Sequence, residues 1–204
     1  MQNKNIIIIY GTPWDQPAQL SKHQFAKLWS KNNRVLYIES PINIFSFFTR
    51  YKEAVQLWKR YKKGAKKVKE NLWVSTFYYF LPFRGSKYLL GAKWVNKVNQ
   101  YFVRKKLKKQ LKALKFYKPI LVVGGAHIFP IINVFKAEKI IYHCSDDYTL
   151  VPSFPKSFQN IEKKLINICD LVVTTADELK YAKIKFNPNT ISIPNGVDID
   201  HFEK

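Results

Sequence analysis

Ile6-Ile7-Ile8-Ile9-Tyr10 runs directly into Gly11-Thr12-Pro13. Five β-branched or aromatic residues without polar alternation read as a strand buried on both faces, and Gly-Thr-Pro reads as the turn that ends it. Strands of that kind belong to parallel sheets with helices on both sides. Similar short runs recur at Val35–Glu39, Leu72–Phe77, Ile120–Val123, Lys139–His143, Leu171–Thr174 and Thr190–Ile193. Between them the spacing turns helical. Gln19–Lys31 sets Leu20, Phe25, Leu28 and Trp29 on one face, and Phe158–Ile168 does the same with Ile161, Leu165 and Ile168. Strand–helix alternation predicts an α/β fold with a Rossmann-like, doubly wound parallel sheet.

Such sheets bind ligands at the carboxyl ends of their strands. The loops to weigh are therefore Gly11–Gln16, Ser40–Asn43, Gly124–Pro130 and Cys144–Thr149. The first holds Gly11, Thr12, Trp14 and Asp15, with Pro17 suited to a helix start. It is neither a G-x-G-x-x-G fingerprint nor a Walker A loop. In the third, Gly124 and Gly125 allow close backbone approach and His127 projects at a strand end. The fourth joins His143 to the adjacent carboxylates Asp146 and Asp147, the most chemically equipped of the loops. One of those acids serves equally well as a cap. No His-x-x-x-His or Cys-x-x-Cys pair supports a metal site.

Composition sharpens the picture. The 204 residues suit one domain, or slightly more, and 47% hydrophobic residues support a core. Lys and Arg number 35 against 14 acids, a net charge of +21. Arg50–Lys69 and Lys97–Lys118 together carry +17 of it. That concentration points to polyanionic partners, nucleic acid or an anionic membrane. Tyr101–Lys118 repeats Phe102, Val103, Leu107, Leu111 and Leu114 at helical spacing among Lys105, Lys106, Lys108 and Lys109, as an amphipathic basic helix does. Arg50–Lys69 carries Trp58 and is preceded by Phe47 and Phe48, aromatics suited to an interfacial anchor. No nucleic-acid module signature is present, which favours the membrane over specific nucleic-acid binding.

Two cysteines, Cys144 and Cys169, exclude a disulfide framework and a Cys-rich zinc ribbon, and fit a reducing compartment. The longest charge-free stretch, Pro119–Phe135, is broken by glycines and Pro130; it reads as a strand plus a loop rather than a membrane span. No secretory signal is visible. The expected place is the cytoplasm, peripheral on the inner face of the membrane.

The C-terminal Ile193-Pro194-Asn195-Gly196-Val197-Asp198-Ile199-Asp200-His201-Phe202 resembles the interdomain linker of family 4 glycosyltransferases. Trp14-Asp15, Val35-Leu36-Tyr37-Ile38-Glu39-Ser40-Pro41, Tyr142 to Asp147, Glu162 and Cys169 to Thr175 resemble the branch associated with teichuronic acid and related cell-wall polysaccharides. The resemblance implies half of a GT-B fold, two Rossmann-like domains about a cleft. It implies sugar transfer from a nucleotide-sugar donor, with retention, to a lipid-linked or envelope polysaccharide acceptor. It implies no cofactor and no required metal.

On this reading residues 1–193 form the acceptor-side domain. Residues 194–204 form a hinge, with Asn195, Gly196 and Asp198, leading to a donor-binding domain outside the chain. His143, Asp146 and Asp147 are the implied catalytic candidates; Gly11, Thr12, Trp14, Asp15, Gly124, Gly125 and His127 line the cleft. The family's Gly-Gly pair before the first helix is replaced by Ala18-Gln19. A non-catalytic basic module on the same fold is the rival class, and a nucleic-acid binder the third.

Overall fold

A computed structural model describes residues 2–9, 12–16, 19–39, 42–78, 93–147 and 156–196. Its centre is β1 (Asn5–Ile9), whose residues Ile6 to Ile9 are at most 1% exposed. Fully burying each such side chain contributes about 1.5–3 kcal/mol, so β1 alone is a large share of the core. It pairs in parallel with β2 (Arg34–Ile38) on one side and β5 (Ile120–Val123) on the other. The sheet has eight strands in the order β3-β4-β2-β1-β5-β6-β7-β8. The remaining strands are β3 (Lys66–Lys69), β4 (Leu72–Ser75), β6 (Lys139–Cys144), β7 (Leu171–Thr174) and β8 (Thr190–Ser192). Every pairing is parallel except β3 with β4. The carboxyl ends of the parallel strands therefore share one rim, and the order reverses at β1, where such a sheet receives its ligands.

Two cores flank the sheet. Ile7, Ile9, Leu36, Ile38, Leu121 and Val123 face one, and Ile6, Ile8, Val35, Tyr37, Val74 and Val122 face the other. This even–odd division is the period-2 rule applied to strands with no wet face. The α-helices among the described residues are α1 (Ser21–Trp29), α2 (Ser46–Thr49), α3 (Tyr51–Lys63), α4 (Lys93–Ala113), α5 (Lys156–Ile168) and α6 (Asp177–Ile184).

Four local readings differ from the sequence expectation. Helix α1 buries His23 and Ala26 and leaves Leu20 and Leu28 in solvent at 40% and 58% exposure, so its inner face is not its most apolar one. Ile168, expected inside α5, is 44% exposed, while Phe158, Ile161, Glu162 and Leu165 point inward. The loop expected after β5 is a 3-10 helix, Ala126–Phe135, with Ile128, Ile131, Ile132 and Phe135 buried. Pro130 inside it forbids a regular α-helical ladder and leaves the tighter coil. Finally, the basic stretch ends in a strand. Helix α3 stops at Gly64, whose φ of +83° suits glycine, and β3 returns antiparallel along β4. Its Lys66, Lys67 and Lys69 lie on the sheet edge, where charge discourages pairing with another chain.

Among the described residues one ion pair is fully inside. Lys183 Nζ of α6 reaches Glu162 Oε2 of α5 at 2.9 Å, with side-chain exposures of 5% and 4%. Tyr142 of β6 donates its hydroxyl to Glu162 Oε1 at 2.8 Å. Removing one partner strands the other in a dry site. Lys183→Met is therefore expected to cost about 3–5 kcal/mol in urea unfolding, and Glu162→Leu/Lys183→Met together much less than the sum of the two single changes.

Candidate functional site

The loop after β1 is held by a histidine. His23 of α1 is wholly buried. Its Nδ1 accepts the Leu20 backbone N–H at 3.0 Å, and its Nε2 donates to the Pro13 carbonyl at 3.1 Å. That pairing fixes a neutral ring with the proton on Nε2. The ring stacks on Tyr37 at 5.4 Å, and Trp14 meets both rings edge-on at 5.5 and 5.1 Å. Tyr37 donates its hydroxyl to the Thr12 carbonyl at 3.1 Å. Thr12, Pro13 and Trp14 are thus tied to β2 and α1 by contacts that a sequence pattern does not display.

Glu39 completes this cluster. It follows β2 and is 1% exposed. Its Oε1 accepts the Trp14 backbone N–H at 2.8 Å and the Arg60 guanidinium at 2.7 Å, and Arg60 also holds Asp15 at 2.5 Å. Burial pushes the Glu39 carboxyl above its ordinary range, against the pull of the Trp14 amide and Arg60. Trp14, Asp15, Glu39, Arg60, Lys63 and Lys66 line a cavity of about 460 Å³ beside the carboxyl ends of β2 and β4. Neither Glu39 nor Arg60 stands out as a site residue in the sequence. The available signals were an acid closing an otherwise apolar strand and an arginine in a lysine-dominated helix.

A second cluster lies across α1. His143 on β6 is 7% exposed and meets the Phe25 ring edge-on at 5.5 Å. Burial pushes its pKa down, the charge of Lys22 pushes the same way, and Asp146 opposes them. Asp146 is exposed and accepts the Ser145 hydroxyl at 3.1 Å; Asp147 is half-buried. Helix α1 therefore separates the His143–Asp146 group from the Trp14–Glu39 group while touching both. Burial pushes the thiols of Cys144 and Cys169 up to about 11 and about 12, which removes them as nucleophiles near neutral pH.

The glycine pair is a third feature. Gly124 donates its N–H to the Ile9 carbonyl at 2.9 Å, which ties the β5 loop to the end of β1. At Gly125 a Cβ would stand 2.7 Å from the His127 ring, so only glycine lets that ring lie where it does. Asn195 and Gly196 are exposed beyond β8; Gly11 and Asp198 lie outside the described residues. Among the described residues, no three His, Cys, Asp or Glu side chains gather as metal ligands would.

The basic surface is more structured than a charged face. Trp58 stacks on Tyr61 at 5.3 Å and meets Phe47 and Tyr78 edge-on, and Lys106 sits over Tyr61 at 4.6 Å. Lys105, Lys108 and Lys109 are exposed, as is Phe48 at 83%. Phe47, Trp58 and Lys106 thus pack α2, α3 and α4 together, leaving Phe48 and the other three lysines exposed on the surface.

Solved structures share this architecture. Sucrose-phosphate synthase from Thermosynechococcus elongatus matches with a TM-score of 0.61 and 9% identity over 97% of this chain and 49% of its own. Anabaena HepE, solved with UDP and glucose, matches with a TM-score of 0.53 and 15% identity over 95% and 45%. OtsA in its apo form matches with a TM-score of 0.54 and 11% identity over 96% and 50%. The fold is that of one half of a GT-B protein. This chain spans about half the length of these structures. No protein-family model and no curated protein matches the sequence.

Two buried histidines with lowered pKa values set a pH dependence. The unfolded chain takes up their protons near pH 6.5, while the folded chain resists until lower pH, so stability rises with pH across that window. The expected result is a urea midpoint that is full above about pH 6.5 and falls as the pH drops through the folded values. His23→Gln should flatten that fall; an unchanged pH slope would exclude His23 as its source.

Proposed function

We propose that this chain is the acceptor-side domain of a retaining glycosyltransferase of the GT-B class. The observation that carries the reading is the shared rim. The loops after β1, β2 and β5 bring Trp14, Glu39 and Gly125, and β6 itself brings His143, to the carboxyl ends of a sheet that matches half of a GT-B protein. HepE, one of the matching structures, was solved with UDP and glucose, which supports a nucleotide sugar as donor. In this reading the donor nucleotide is held mainly by a second domain, in the half of the neighbours that this chain does not match. Retaining transfer passes through an oxocarbenium-like centre with a departing diphosphate. The neutral imidazole of His143 and the carboxylates of Asp146 and Asp147 orient the transferred sugar and the attacking hydroxyl. Stabilisation of the leaving diphosphate falls to the second domain, with no metal required.

The same reading places the protein on the cytoplasmic face of a membrane, acting on a lipid-linked or envelope acceptor. Among the described residues no helix is long and apolar enough to cross a bilayer. The support is the cationic surface around Phe48, Lys105, Lys108 and Lys109, where each basic residue near an anionic surface contributes about 1 kcal/mol. A non-catalytic surface-binding module shares this feature and differs only in turnover.

Two measurements test the proposal. The 204-residue chain alone should show neither steady turnover of nucleotide sugars nor micromolar donor affinity in calorimetry. In the protein carrying the second domain, His143→Ala and Asp147→Ala should each lower kcat/KM by about tenfold or more, about 1.4 kcal/mol of transition-state stabilisation, without unfolding it. Full activity in both folded variants would remove these residues from the mechanism.

The membrane reading has its own test. Co-sedimentation with anionic vesicles should be strong at low salt and collapse toward 1 M, where the Debye length shrinks from about 10 Å to about 3 Å. Lys105, Lys106, Lys108 and Lys109 changed to Glu should weaken it. Lys106→Glu should also loosen the Tyr61 contact, so the triple change without it is the cleaner comparison. Tight binding of single-stranded nucleic acid without vesicle binding would favour the nucleic-acid class instead.

A further inference from the structure

Strand β6 presents alternate residues to opposite faces of the sheet, and its last three show what each face holds. His143 points toward α1 and meets the Phe25 ring edge-on at 5.5 Å. Tyr142 and Cys144 point the other way, into the core shared with α5. There Glu162 stands behind both. Its Oε1 accepts the Tyr142 hydroxyl at 2.8 Å and lies 3.9 Å from the Cys144 sulfur, and its Oε2 takes Lys183 Nζ at 2.9 Å. The residues on either side of His143 thus meet one carboxylate on the far face of the sheet.

The turn beyond β6 is fixed from the same place. Burial pushes the Cys144 thiol up to about 11, so it keeps its proton and donates it to the Asp146 carbonyl at 3.4 Å. Thr175, just after β7, donates its hydroxyl to the Ser145 carbonyl at 3.3 Å. Two successive carbonyls of the turn that carries Asp146 are therefore held. Stability alone gives no account of the carboxylate behind them. Packed apolar residues often match or exceed a buried ion pair in stability, but they lack its direction. With Lys183 on Oε2, Oε1 is left aimed at Tyr142.

We propose that Glu162 is a positioning residue, oriented by Lys183, that fixes the end of β6 through Tyr142 and Cys144 and so sets where His143 and Asp146 stand. The placement follows from these contacts alone; that it serves sugar transfer rests on the glycosyltransferase reading above. Reacting groups must be held to within about 0.5 Å, and a misplacement of about 1 Å costs about a hundredfold in rate.

The test separates placement from stability. In the 204-residue chain the readout is the proton NOE between the His143 and Phe25 rings, whose centroids lie 5.5 Å apart. Glu162→Leu/Lys183→Met keeps the core filled and should lose most of that NOE. Glu162→Gln/Lys183→Gln keeps an acceptor for Tyr142 and should retain most of it. Val103→Ala removes core volume in α4 and none of the hydrogen bonds above; it should lower the urea midpoint and leave the NOE intact. Tyr142→Phe removes only the hydroxyl, and its weakened NOE carries the test if the apolar pair fails to fold. In the protein with the second domain, the apolar pair should lower kcat about tenfold or more with the donor KM little changed, and the Gln pair should recover most of it.

An intact ring contact in the folded apolar pair would overturn the proposal, as would an intact contact in Tyr142→Phe should that pair not fold. So would loss of the contact in Val103→Ala or in the Gln pair. Loss of the contact with kcat unchanged would leave the positioning standing and remove His143 from the mechanism. Absence of sugar transfer by the unaltered two-domain protein would end the glycosyltransferase reading, and the ring contact would still decide the role of Glu162.

Discussion

Everything in this molecule is arranged around a strand that has no wet side. Because Ile6 to Ile9 are buried on both faces and paired on both edges, β1 dictates two core layers and parallel neighbours on either hand. Parallel pairing in turn requires crossovers, and crossovers bring every parallel strand to the rim in the same sense, β3 alone among the described strands running the other way. The loops after β1, β2, β5 and β6 therefore do not find each other by chance. They share the rim because the pairing of β1 with β2 and β5 leaves their ends no other place.

Helix α1 shows how that rim is partitioned. Its buried face presents His23 to the Trp14 and Tyr37 rings, while Phe25 meets His143. A leucine in place of His23 would satisfy the core but not the Pro13 carbonyl or the Leu20 amide. The helix thus trades apolar area for two hydrogen bonds that define a loop. The same exchange of stability for placement recurs at Glu39, where a carboxylate occupies a position that an apolar side chain would fill at less cost.

What the sequence disclosed follows from these facts. Continuous apolar runs announce two-sided burial, so Ile120–Val123 and Leu171–Thr174 were legible to the residue, and the other parallel strands to within one or two positions. Periodicity fails where burial and polarity part company. It turned α1 toward Leu20 and Leu28 because it assigns no inward place to a histidine. It missed β3, whose lysines conceal a strand held by backbone pairing alone, and it missed the 3-10 helix because Pro130 reads as a break. Loop positions were legible, since strand ends mark them. The partners of those loops were not: Glu39 to Arg60 is 21 residues and Arg60 to Asp15 is 45, and such contacts follow only once the chain is folded.

The lysine-bearing strand gives the sheet two unlike ends. At β3, a partner strand would have to dock beside Lys66, Lys67 and Lys69, and a second copy of the same edge would bring its own three. At the opposite end among the described residues, β8 presents Ile191 at 42% exposure and no charged residue within the strand. A strand approaching β3 would thus meet like-charge repulsion, whereas β8 itself carries no charge to oppose one. Concentrated salt, which shortens the reach of the lysines, removes that asymmetry. The two edges of one sheet therefore respond differently to ionic strength, the lysine edge strongly and the uncharged edge hardly at all.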